Sequence, residues 1–229
     1  RVLGEPHSAL ASGLVVGEKA SLGKDIIDNF RKAGLIHIVV LSGYNITIIA
    51  TTIRRLLSFL PRNISIVLGM FGIILFGILV GGGATVVRSC IMAIVALFGE
   101  LLRKDYKVIR ALFIAGLFMI IQNPYIVLYD PSFQLSFLAS FGLIVLSSPI
   151  EDRLTFITER FGMRGVVAST LATQIFVSPY ILYMMGQISI VGMFVNIIVL
   201  PFIPTTMLFV SLSGIAGFVS IFISKIFSS

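Results

Sequence analysis

The chain has 229 residues, 57% of them hydrophobic and only 12% charged. Soluble domains carry about twice that share of charge, so a water-soluble globule is excluded and a polytopic membrane protein is indicated. The net charge of +7 suits a polyanion, but basic loops orient every multispan protein, so charge alone does not choose a partner. A single cysteine, Cys90, excludes an intrachain disulfide, and two histidines with one cysteine make no zinc set, so no metal and no cofactor is expected.

A start at Arg1 rather than Met reads as a piece of a longer chain, and with no cleavable signal ahead of the first span, targeting is expected to come from the spans themselves. Residues 1–34 form the polar amino-terminal segment. Within it Leu22, Ile26, Ile27, Phe30 and Ala33 fall at helical spacing, with Asp25, Asp28, Arg31 and Lys32 opposite and Gly34 as a stop. This predicts an amphipathic helix, lying on the membrane surface or against the protein's own loops. Residues 35–229 are expected to form one transmembrane bundle, making 1–229 a single domain.

The first span covers 34–53, GLIHIVVLSGYNITIIATTI. It has the roughly 20 residues that a crossing needs, yet carries polar groups an anchor would not need. On a helix His37, Tyr44, Asn45, Thr47, Thr51 and Thr52 share one half, and Val39, Ile46, Ile49, Ala50 and Ile53 the other. Polar groups inside a bilayer are costly, so such a stripe faces a cavity or a partner helix.

A basic turn with Arg54, Arg55 and Arg62 leads to a second span at 64–80, and the glycines at 81–83 break the chain before a third at 84–102. A basic loop with Arg103, Lys104 and Lys107 precedes the fourth, at 108–122. Asp130 and Pro131 are set as N-cap and first residue of a fifth span, 131–148. Over 149–164, Ile150, Leu154, Ile157 and Phe161 oppose Glu151, Asp152, Arg153, Glu159 and Arg160, which predicts a second interfacial helix. A sixth span at 165–185 is expected to break at Pro179. The apolar stretch 188–223, cut by Pro201, gives two spans or one span with a re-entrant piece. The expected fold is an all-α bundle of seven or eight spans. The loops at 54–63, 103–107 and 149–164 hold nearly all the Lys and Arg between spans, which places that side in the cytoplasm.

Arg88, inside the third span, either snorkels to the headgroups or joins the glycine run and helix start in holding a phosphate. In the fifth span Ser132, Ser136 and Ser140 form one ridge and Phe133, Phe137 and Phe141 the next. Close helix packing explains such a ridge. A lining of hydroxyls, Gln134 and rings for a sliding strand is the alternative reading. Gln174 and Asn196 stand near the prolines of the later spans, where freed carbonyls need an internal partner or cavity water. No phosphate-binding loop of the nucleotide hydrolases occurs.

The run FRKAGLIHIVVLSGYNI, residues 30–46, resembles the signature of the ComEC-type competence domain, an integral membrane channel family of bacterial natural transformation. Asn45 stands where that family has a second histidine. The segments SALASGLVVGEKASL, VRSCIM, YDPSFQLSF, QIFVSPYILYMMGQIS and NIIVLP extend the likeness along most of the chain. The resemblance implies a non-enzymatic channel that passes single-stranded DNA inwards across the cytoplasmic membrane of a bacterium. Membrane lipid surrounds it, a DNA receptor and a cytoplasmic ATP-driven translocase are implied partners, and a homo-oligomer stays open. His37, Ser42, Tyr44, Asn45, Arg88, Phe133, Gln134, Ser136, Gln174 and Asn196 are the candidate lining residues. A small-solute or lipid-linked-substrate transporter is the alternative. An intramembrane enzyme with Ser42 as nucleophile and His37 as base is a third reading, and it requires a helix break at Gly43.

Overall fold

The computed structural model describes residues 43–157, 159, 162–186 and 190–227, together with residues 13, 23 and 27. Among these every regular element is helical: α1 (Gly43–Leu56), α2 (Arg62–Leu79), α3 (Ala84–Leu101), α4 (Val108–Gln122), the short α5 (Ile126–Tyr129), α6 (Pro131–Arg153), α7 (Met163–Met185), α8 (Ile190–Val199) and α9 (Ile203–Phe227). Five stretches are long and apolar enough to cross a membrane: Arg62–Leu79, Ala84–Leu101, Pro131–Arg153, Met163–Met184 and Phe194–Gly214. Val108–Gln122 is apolar but shorter. The amphipathic segment expected over 1–34, with the part of the first span that precedes Gly43, lies outside the described residues.

The bundle has two packed groups. In one, α1 and α2 pair with α3, which also packs on α4. Ile46, Ile66, Ile73, Val86, Cys90 and Leu97 form its core. In the other, α6 lies along α7, which continues to α8. Gly142 permits this approach, because a β-carbon there would stand 2.7 Å from the Ala172 carbonyl and 2.8 Å from Phe176 Cδ2. The groups meet where α3 and α4 touch α6 and where Ile203 and Met207 of α9 pack on Ile48 and Ile49 of α1.

Three helix ends are tied together at the basic side. Arg54, at the end of α1, grips Glu100 through two bonds of 2.6 and 2.9 Å, and Arg62 at the start of α2 donates to the Glu100 carbonyl at 2.9 Å. The opposite side carries the 81–83 turn, where Gly81 and Gly82 adopt φ of 86° and 61°, a region that other residues rarely enter.

Two sequence expectations are corrected. Pro179 does not break its helix, since α7 runs through it from Met163 to Met185. A proline removes one ladder bond, and the neighbouring turns and the packing on α6 keep the helical path. The described residues at 149–157 do not form a separate interfacial helix: α6 continues through Pro149 to Arg153, and Leu154 then closes it by donating to the carbonyls of Ile150 and Glu151. The amphipathic periodicity there belongs to the end of a longer helix and the turn after it. At Pro201, where the sequence cuts the apolar stretch, α8 gives way to a 3-10 turn, Leu200–Phe202, before α9 begins, and among the described residues the candidate span there is Phe194–Gly214.

Candidate functional site

Four of the predicted lining residues, Arg88, Phe133, Gln134 and Ser136, lie near the starts of α3 and α6, on the uncharged side of the bundle. Arg88 is the fifth residue of α3, about 6 Å along the axis from Ala84 at the usual helical rise. It does not snorkel: its residue is only 7% exposed. Nε donates to Ser136 Oγ on α6 at 2.6 Å, one terminal nitrogen to Ser89 Oγ at 3.2 Å, and the other to Met92 Sδ at 3.3 Å. These acceptors are all neutral. Among the described residues no carboxylate forms an ion pair with Arg88. A buried cation held this way has no carboxylate among the described residues to cancel its charge, and burial of such a charge is costly.

Ser136 accepts from Arg88, and Ser140 donates its hydroxyl to the Ser136 carbonyl at 2.8 Å. The phenylalanine ridge packs. Phe133 is buried against Phe137 with ring centroids 4.3 Å apart, and Phe137 in turn lies over Gly116 of α4.

The start of α6 is a local unit legible in the order of its residues. Asp130 caps it, accepting from the amides of Ser132 at 2.8 Å and Phe133 at 3.2 Å, as the sequence predicts. In a continuing helix the carbonyls of Val127 and Leu128 would bond to the amides of residues 131 and 132. Residue 131 is proline and has no amide hydrogen, and the amide of Ser132 is taken by Asp130. Gln134 replaces both donors: its Nε2 stands 2.6 Å from the Val127 oxygen and 3.3 Å from that of Leu128. Its Oε1 accepts from the Tyr180 hydroxyl of α7. Gln134 therefore fastens α5 to α6 and α7.

On α1 the apolar half packs inward, with Ile46 only 1% exposed and Ile53 against Gly72 of α2. Thr47, Thr51 and Thr52 are exposed, and Thr51 and Thr52 return their hydroxyls to carbonyls of their own helix. Tyr44 and Asn45 lie in the first turn of α1. His37 and Ser42 lie outside the described residues.

Gln174 on α7 is half-buried and accepts from Ser178 at 2.9 Å, and Asn196 on α8 is buried. Sequence reading missed the neighbours of Gln174. Ser169, Thr170 and Thr173 continue its stripe along α7, each hydroxyl donating to a carbonyl within its own helix and leaving an oxygen able to accept. The signal was present as Ser, Thr and Gln at helical spacing. Among the described residues no group of three His, Cys, Asp or Glu side chains converges in a way that could hold a metal ion.

A family model described as Competence protein matches residues 14–229. The chain is 27% identical over 198 residues to ComE operon protein 3 of Bacillus subtilis (strain 168), an alignment covering 85% of this chain and 24% of that protein. It is 29% identical over 153 residues to an uncharacterized protein of Aquifex aeolicus (strain VF5), covering 66% of this chain and 36% of the relative. This chain thus spans about a quarter and about a third of the two relatives' lengths. No solved structure matches it. Matched from residue 14 to residue 229, the chain belongs to the Competence protein family.

Proposed function

We propose that this chain is the membrane conduit through which single-stranded DNA passes inwards during natural transformation, and that it acts without catalysing a covalent step. Membership in the Competence protein family supports the role in DNA uptake, and one observation of the structure carries the conduit reading: Arg88 is buried with neutral partners only. A strand of phosphates supplies the anion such a site favours, while Thr47, Thr51, Thr52 and the α7 stripe offer hydroxyl oxygens that bind no single base. Tyr44, Asn45, Ser136, Gln174 and Asn196 belong to this pathway, with His37 and Ser42 leading to it.

In this reading the side with Arg54, Arg62 and Glu100 faces the cytoplasm of a bacterial inner membrane, by the bias of basic loops. The 81–83 turn and α5 face outwards, so Arg88 meets the strand near its entrance. A surface DNA receptor delivers the strand and a cytoplasmic ATP-driven translocase draws it in.

The test is internalisation of labelled DNA by a competent host whose own relative is deleted and replaced by this chain within its full-length protein. Arg88→Gln lowers internalisation while leaving expression and surface capture of DNA intact, and Arg88→Lys lowers it less because the charge stays. Wild-type internalisation by the Gln variant removes the conduit reading. Loss of small-anion uptake with normal DNA uptake points instead to a solute transporter.

A further inference from the structure

Gln134 can donate to the α5 carbonyls in only one of the two orientations of its amide. The Val127 and Leu128 carbonyls, which only accept, set that orientation, and the Tyr180 hydroxyl, donating to Oε1, holds the amide in place from the α7 side. Tyr180 follows Pro179 directly. Proline gives no amide hydrogen to the Ile175 carbonyl, so the ladder of α7 lacks a bond within one turn of Tyr180. The turn of α7 that lacks a ladder bond thus adjoins the hydroxyl that holds the Gln134 amide.

We propose that Gln134 is a positioning residue that couples the turn of α7 around Pro179 to the 126–129 turn. A shift of that turn withdraws the Tyr180 hydroxyl and loosens the side chain that it holds. The carbonyls of Val127 and Leu128 then lose their donors, and α5 loosens from the start of α6. Arg88 and Ser136 lie at the same side of the bundle, so the shift takes place on their side. As a control on DNA passage this rests on the function proposed above; as a coupling between helices it does not.

Amide hydrogen exchange of the whole chain in lipid nanodiscs tests the coupling. Tyr180→Phe and Gln134→Leu each speed exchange at Leu128, Tyr129 and Asp130 by about tenfold, the effect of losing one hydrogen bond of ordinary net strength. The double variant exchanges no faster than Gln134→Leu alone. Pro179→Ala, which restores the ladder bond, slows exchange of these amides in the wild type and has no effect in the Tyr180→Phe background. The amides of Gly81 and Gly82 stay unchanged throughout. If Gln134→Leu does not fold, the Tyr180→Phe and Pro179→Ala pair decides the matter alone. Wild-type exchange in Tyr180→Phe, or a Pro179→Ala effect that persists without the hydroxyl, overturns the coupling. Altered exchange with unchanged DNA internalisation keeps the coupling and removes its bearing on DNA.

Discussion

Arg88 Nε stands 2.6 Å from Ser136 Oγ, so the contact between α3 and α6 includes a charged hydrogen bond between residues 48 positions apart in the chain. An arginine deep in a span costs about 2.5 to 3.5 kcal/mol on insertion scales. Arg88→Met, which removes the charge but keeps much of the apolar stem's volume, therefore leaves the unfolding midpoint in mixed micelles at or above that of the wild type while DNA internalisation falls. Ser136→Ala does the reverse: it strands a charged donor and lowers stability by about 1.5 to 3 kcal/mol. A large loss of stability in Arg88→Met would make the arginine structural.

Gly142 and Gly69 separate close packing from helix propensity. At Gly142 a methyl group meets backbone and ring atoms of α7, whereas at Gly69 its nearest neighbour is Leu97 Cδ1 at an ordinary 3.6 Å. Gly142→Ala loses about 1 to 3 kcal/mol by overpacking. Gly69→Ala is neutral or gains up to about 1 kcal/mol, because alanine is the better helix former. Equal effects of the two would contradict the α6–α7 packing.

The pairs of Arg54 and Arg62 with Glu100 are partly solvent-exposed, with side-chain exposures of 44%, 52% and 29%. Glu100→Gln is expected to cost no more than about 1 kcal/mol for that reason. The cost shrinks as salt rises from low concentration to several hundred millimolar, since screening weakens the wild-type pairs. A salt-independent deficit would assign the role of Glu100 to packing.

Orientation is read with cysteines in a Cys90→Ala background. A cysteine at Leu128, on the exposed face of α5, reacts with an impermeant thiol reagent added outside intact cells, and one at Arg62 reacts only after permeabilisation. The opposite pattern inverts the topology.

Single cysteines along α1 test its two faces. Those at Thr47 and Thr51 react with a small hydrophilic reagent, and those at Ile46 and Ile53 stay protected because Ile46 sits in the core and Ile53 lies against Gly72. Protection of Thr47 and Thr51 would mean that lipid, rather than a wet path, covers the threonines.

Much of the fold was legible because spans are written in short-range chemistry. The extents of α2, α3 and α4 follow runs of apolar residues between polar turns, and the Asp130 cap follows from side-chain reach over two or three residues. The prolines were read too strongly. Their local cost is real, but the packing of α6 along α7 carries the helix past both Pro149 and Pro179. The partner of Arg88 was illegible, since it depends on how two helices far apart in sequence come to face each other. Gln134 lies between these cases: its reach back to α5 could be counted from Pro131, but Tyr180 could not.

The sharing of Glu100 by Arg54 and Arg62 bears on the order of assembly. A growing chain that has made α1 and α2 but not yet residue 100 holds two arginines whose common acceptor does not exist. Once Glu100 emerges, one carboxylate and one carbonyl engage both at once. The ends of α1 and α2 can therefore be aligned through this residue only after α3 is complete.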